Sequence, residues 1–413
     1  MSKLGRIRSV HVVTLIAALA VPLAGATVQR GKPADVGMSA ERLARLDQAI
    51  ERQLTPGNTN PAGVVTAVAR RGRLVHLQAK GLMNIESKKP MATDSIFRLM
   101  SASKVVVTVA VLTLVEEGTI RLTDPVSKFI PEFASLTVAM PSSSPVRANR
   151  RITVEDLLTH TSGLGSGASF NESLRVSAIV PGTTLAEAVP RLTKAPLEFQ
   201  PGDHWSYSPV AGFDTLLRIA EIVSGTAADE LLRTRIFRPL GMKDTSFWTP
   251  AADKNPRLVT LYDHTPQGFK PADSAGWSNE YLSGAGGLMT TAEDFLQFGQ
   301  MLLNGGELNG VRILSPRTVD LMHSTFVKDF DSPFDGKKSG RTFGLGVQII
   351  NDPVSVGYRV GAGTFGWDGA LGSIETHFWV DPTEKVVGVV FLEGLNVTVF
   401  RDVENAVMQA IVD

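Results

Sequence analysis

The chain has 413 residues, of which 43% are apolar and 20% charged, so it holds ample material for a large core and is neither disordered nor fibrous. Its 41 Lys+Arg match 41 Asp+Glu, which leaves no basic excess for a nucleic-acid footprint. It contains no cysteine, which removes disulfides, thiolate metal sites and cysteine nucleophiles together.

The predicted elements begin with a three-part N-terminal segment. Lys3, Arg6 and Arg8 precede an apolar run from Val12 to Leu23 that is broken only by Thr14, and Ala24-Gly25-Ala26 is a small-x-small cleavage site. This is the pattern of a secretory signal peptide over residues 1–26, shorter in its apolar part than a spanning helix requires. The expected location is periplasmic or secreted, with no stable membrane insertion after cleavage. Loss of the three cations would leave 38 basic against 41 acidic residues.

Met38 to Leu54 places Leu43, Leu46, Ile50 and Leu54 on one helical stripe, with Ser39 as N-cap. Two strands follow, Ala62 to Ala69 and Leu74 to Ala79, joined at Arg70-Arg71-Gly72-Arg73. Ser101 to Glu117 reads as a helix that is apolar on most faces and therefore buried. From about 120 to 300 the pattern turns helical: Val154 to Leu158, Gly212 to Ser224, Ala227 to Phe237 and Ala292 to Leu303, with Pro141 to Pro145 as a loop. Strands return at Phe343 to Ile350, Thr376 to Val380 and Lys385 to Leu392, and Val397 to Val412 closes the chain as a helix.

The economical assembly is an α+β fold. One antiparallel sheet is built from both chain ends and flanked by helices, over 27–118 and 301–413, and a mainly helical second lobe spans about 119–300. The cleft between the lobes is the default place for small-molecule chemistry.

Ser101-Ala102-Ser103-Lys104 is the one S-x-x-K in the chain. A serine in the first turn of a buried helix lies near unpaired amides, and a lysine three residues on shares its face. Burial disfavours the charged ammonium, so Lys104 is a candidate base and Ser101 a candidate nucleophile. Tyr207, after the Pro201-Gly202 turn, is a candidate proton relay, or else a packed loop tyrosine. In Gly366 to Gly372 (GWDGALG), glycines on both sides of an aromatic suggest backbone lying against a ligand, or else a tight turn capped by a packed Trp. The amides of Ser101 and Ala370 are then candidate oxyanion donors. The histidines are scattered, no metal-binding string occurs, and no cofactor is expected. Asp94, Asp124 and Asp203 read as turn acids.

Five strings in order resemble the serine β-lactamase and penicillin-binding protein superfamily, in its class C-like branch and most like the family VIII carboxylesterases. They are Phe97 to Lys104 (FRLMSASK), Ile152 to Leu164 (ITVEDLLTHTSGL), Phe199 to Ser208 (FQPGDHWSYS), Ile236 to Thr245 (IFRPLGMKDT) and Ser283 to Leu288 (SGAGGL). The resemblance implies a β-lactamase-like fold, catalysis by Ser101, Lys104 and Tyr207, and substrate contacts from Trp367, Asp368 and Gly369. Two departures bear on the substrate. Pro209 stands where class C β-lactamases carry an asparagine that engages the lactam side chain. Trp367-Asp368-Gly369 stands where they carry Lys-Thr-Gly, so the cation that holds a substrate carboxylate is missing. The expectation is a serine hydrolase of short- to medium-chain carboxylic esters with weak β-lactam turnover, and with Asp368 repelling anionic acids. The alternatives are a β-lactamase or D-amino-acid peptidase, an amide hydrolase or acyltransferase, and a non-enzymatic envelope binding protein. Oligomeric state is not legible.

Overall fold

The computed structural model describes residues 27–54, 61–249, 251–265, 268–272, 281–328, 340–394 and 398–413. The N-terminal segment read as a signal peptide lies outside these. The fold is α+β: a mainly antiparallel sheet is flanked by helices, and a more helical lobe packs beside it. Across the sheet the order is Gln29–Arg30, Arg73–Asn84, Gly63–Arg70, Val386–Glu393, Ile374–Asp381, Thr364–Gly366, Gln348–Ile350 and Arg341–Phe343. The two chain ends meet at the centre, where Val386–Glu393 pairs antiparallel with Gly63–Arg70 along its whole length.

The central strands are buried on both faces, so they read as continuous apolar runs. Alternate residues still separate. Val64, Val68 and Trp379 face the helices Ala40–Gln53 and Thr398–Met408, whereas Val65, Ala67 and Phe378 face the main core. Gly388 is required on its strand, because a Cβ there would stand 2.0 Å from the Trp379 ring. The first helix starts as its sequence predicts, with the Ser39 hydroxyl accepting from the Arg42 amide. Arg70 then ties the hairpin to both termini by donating to the Val36 and Gly37 carbonyls and to Asp413.

The helix Ser103–Glu116 is buried from Ser103 through Leu114, as an all-round apolar sequence demands. It packs against Ala211–Ser224 of the helical region. Among the described residues no helix is long and apolar enough to cross a membrane.

Three expectations need correction. Phe343 to Ile350 is not one strand. Arg341–Phe343 and Gln348–Ile350 pair as a hairpin, turning at Gly346 in the left-handed region (φ 68°). Pro141 to Pro145 is not wholly loop, since Ser143–Arg147 pairs with Thr137–Met140. Ala227 to Phe237 is a short α-helix, Ala228–Leu232, that widens to π geometry over Arg233–Phe237.

Glu393, the last residue of its strand, is buried, and burial pushes its carboxyl up to about 8 against the pull of Ser373 and Arg98. A carboxyl raised on folding contributes stability below its unfolded pKa, and that contribution is lost as pH rises through about 8. Glu393→Gln should therefore raise Tm at pH 8 and leave it near wild type at pH 4. Calorimetric melts at the two pH values check this.

Candidate active site

Ser101 sits in a single 3-10 turn, Met100–Ala102, at the head of the helix that begins with Ser103. The turn is entered through Met100, a non-glycine residue in the left-handed region (φ 48°), which stores local strain of the order of 1–3 kcal/mol. The Tyr207 hydroxyl donates to Ser101 Oγ at 2.8 Å, and Lys104 Nζ lies 3.2 Å from the same oxygen. Lys104, one helical turn on, and Tyr207, from a distant segment, thus converge on one atom of Ser101.

Lys104 has no exposed surface. Its other two contacts are the carbonyls of Pro209 and Ala285, each at 2.8 Å. Carbonyls only accept, so two N–H bonds are committed and the remaining direction of the nitrogen faces Ser101. That direction holds a third N–H in the ammonium and a lone pair in the neutral amine. Donor and base are the same geometry in two protonation states.

Each carbonyl is itself held. Asp214, fully buried on the helix Ala211–Ser224, accepts from the Tyr281 and Ser283 hydroxyls at 2.7 Å and from the Ala285 amide at 3.1 Å. Burial raises the Asp214 carboxyl, and these donors and the Lys104 charge pull it back. On the other side, His160 grips both neighbours of Tyr207. Its carbonyl accepts from the Ser206 amide at 3.0 Å and its Nδ1 from the Ser208 amide at 3.2 Å. An accepting Nδ1 puts the ring proton on Nε2. Burial, with the nearby Lys104 charge, holds His160 well below the usual histidine value, so it is neutral. Its ring meets the Tyr207 ring edge-on at 4.9 Å. Neither Asp214 nor His160 stands out in the sequence as a site residue. The signal for His160 was its place inside the ITVEDLLTHTSGL string.

The GWDGALG segment arrives from the sheet. Gly369–Leu371 is a three-residue strand on the edge of Ile374–Asp381. A Cβ on Gly369 would stand 2.3 Å from the Leu99 carbonyl oxygen and 2.8 Å from the Ser101 nitrogen, so glycine is what lets the two backbones touch. Thr376 Oγ1 clamps the approach by donating to the Leu99 carbonyl at 3.0 Å. Ala370 follows directly, which brings its amide and that of Ser101 onto adjoining backbone.

Trp367 and Asp368 lie differently from the expectation. Trp367 has no exposed surface; its ring packs 5.4 Å from that of Tyr207 and perpendicular to Phe343. The Asp368 carboxylate is buried and turned onto His377, 2.7 Å from Nδ1. It does not face the nucleophile as a repelling charge, because its nearest cationic partner is on the opposite side of the sheet edge.

A family model described as Beta-lactamase matches residues 46–413, and the chain belongs to that family. Esterase EstB of Burkholderia gladioli is 30% identical over 367 residues, covering 83% of this chain and 87% of that protein. Lovastatin esterase of Penicillium rubens is 30% identical over 371 residues, covering 83% and 91%. The solved structure of EstCE1, a hydrolase with promiscuous acyltransferase activity, matches with a TM-score of 0.74 at 26% identity over 89% of this chain and 99% of its own. The fold is that of a serine hydrolase related to β-lactamases, penicillin-binding proteins and esterases.

Removing Asp214 would take their shared carboxylate acceptor from the Tyr281 and Ser283 hydroxyls and the Ala285 amide, and loosen the loop that presents the Ala285 carbonyl. Asp214→Ala should lower stability by about 3 kcal/mol in urea titration and slow covalent labelling of Ser101 by a fluorophosphonate.

Proposed function

We propose that the protein is a serine carboxylesterase of the family VIII type, acting on neutral short- to medium-chain esters through an acyl-enzyme. The observation that carries this reading is the position of Ser101 Oγ between the Tyr207 hydroxyl and a Lys104 nitrogen whose other directions are taken by carbonyls.

Ser101 Oγ attacks the ester carbonyl and gives its proton to the Lys104–Tyr207 pair. Tyr207 passes the proton to the leaving alkoxide. The Ser101 and Ala370 amides receive the oxyanion, and donors fixed in advance are the largest single contribution in sites of this kind. Water then attacks the acyl group, and its proton returns to Ser101 through the same pair.

The preference for neutral esters rests on the cation missing from Trp367-Asp368-Gly369 rather than on repulsion by Asp368. The carboxylate of Asp368 is spent on His377 and does not confront the substrate. Pro209 likewise offers no side-chain amide to a lactam, and its carbonyl is engaged by Lys104. The names of EstB and Lovastatin esterase support an ester over a lactam. Export through the segment 1–26 belongs to the same proposal.

Ser101→Ala should abolish hydrolysis of p-nitrophenyl butyrate, and wild type should turn over short esters with higher kcat/KM than nitrocefin. Residual turnover within a few-fold of wild type in Ser101→Ala would remove Ser101 as nucleophile. A reversed order of substrates would make the enzyme a β-lactamase instead.

A further inference from the structure

Thr376 and His377 are neighbours on one strand, so their side chains leave opposite faces of the sheet. Thr376 holds the nucleophile turn, as described. His377 holds something else. Its Nδ1 meets Asp368 at 2.7 Å and its Nε2 meets Glu404, on the C-terminal helix Thr398–Met408, at 3.0 Å. Its ring stacks with Trp379 and Phe400, at 5.1 and 4.9 Å between centroids. All three charged residues are buried. Asp368 also accepts from the Phe378 amide at 3.4 Å.

We infer that Asp368, His377 and Glu404 form an anchor by which the C-terminal helix holds the Gly369–Leu371 strand against the nucleophile turn, making them positioning residues for the Ala370 oxyanion amide. The inference rests on the proposed acyl transfer for its catalytic consequence and on the contacts alone for the anchor. Gly369–Leu371 pairs along three residues with a single neighbour, Ile374–Asp381. So short an edge strand is weakly specified by its ladder. An oxyanion donor must nevertheless be held to about half an ångström. The Asp368 carboxylate, two residues before Ala370, supplies the missing constraint from inside the protein.

The anchor needs its imidazole protonated. A neutral ring has one N–H and can satisfy one carboxylate, whereas the cation donates to both. Burial pulls His377 down, but Asp368 and Glu404 outweigh it and raise it to about 10. Among the described residues Tyr358 also faces the cluster, with the guanidinium carbons of Arg341 and Arg401 over its ring at 5.3 and 5.4 Å. Burial raises the Tyr358 phenol first, and Glu404 adds to this, while Arg341 and Arg401 pull it back.

The test uses the full chain, with ester kinetics as a function of pH and amide hydrogen exchange across residues 364–371 without substrate. Wild type should lose kcat reversibly as pH passes about 10. Glu404→Gln, which keeps size and one hydrogen bond, should move that limb down by about one pH unit or more. His377→Gln should abolish the limb, lower kcat roughly ten- to a hundredfold at pH 7.5 with KM within a few-fold, and speed exchange across 364–371. Unchanged exchange in His377→Gln overturns the anchor. Faster exchange with unchanged kcat overturns its role in catalysis. If His377→Gln does not fold, an unmoved limb in Glu404→Gln overturns the inference. If wild type hydrolyses no ester, the functional proposal falls, and exchange alone decides whether the anchor exists.

Discussion

A lysine with no exposed surface, standing in an otherwise apolar helix, is the constraint around which this protein is arranged. An amine buried there without acceptors would be strongly destabilising. The helix Ser103–Glu116 cannot satisfy it, because its own carbonyls are used along the helix axis. The acceptors must come from elsewhere, and they come from two separate segments, at Pro209 and Ala285. Both belong to the helical region between the two halves of the sheet. Satisfying Lys104 therefore docks that region onto the nucleophile helix and, in the same act, aims the nitrogen at Ser101.

Each acceptor has its own support, and the supports differ in kind. Asp214 works as a shared acceptor: three donors converge on a carboxyl that burial raises and that they pull back. His160 works by shape and neutrality. It adopts a left-handed backbone (φ 57°), rare for a residue with a side chain, which lets its carbonyl and ring nitrogen reach amides two residues apart. Tyr207 lies between those amides, so a clamp on its own backbone helps place the hydroxyl that reaches Ser101.

The elements that carry these residues were largely legible in the sequence, and the reasons are local. Ser101 and Lys104 are one helical turn apart, and the helix around them is apolar enough to be buried on any reading. The hairpin at Arg71-Gly72 and the helix Ala292–Leu303 declare themselves by turn residues and periodicity. The failures also have physical causes. Phe343 to Ile350 is apolar but for Gln348 and its glycines, and the left-handed Gly346 is what makes it a tight hairpin rather than one strand. Asp368 looked like a charge offered to substrate because its partners lie 9 and 36 residues further on, and nothing in the local string encodes a contact with His377 and Glu404. His160 was hidden because its work is done by a backbone carbonyl and a ring nitrogen, and its one sequence signal is its place inside the ITVEDLLTHTSGL string.

Charge placement links the two halves of the site. Lys104 and Asp214 are both buried, and the Lys104 charge is one of the influences that pull the Asp214 carboxyl down against the rise that burial imposes. The strand that brings the oxyanion amide has Asp368 two residues before Ala370, and a bare carboxylate there would oppose a developing negative charge. Protonated His377 offsets one of the two carboxylates in that cluster; neutral His377 offsets none. The same proton that lets the imidazole bond both acids also halves the negative charge behind the oxyanion donor. An aspartate is compatible with acyl transfer at this position because a histidine on the neighbouring strand and a glutamate on the last helix are present to keep that proton in place.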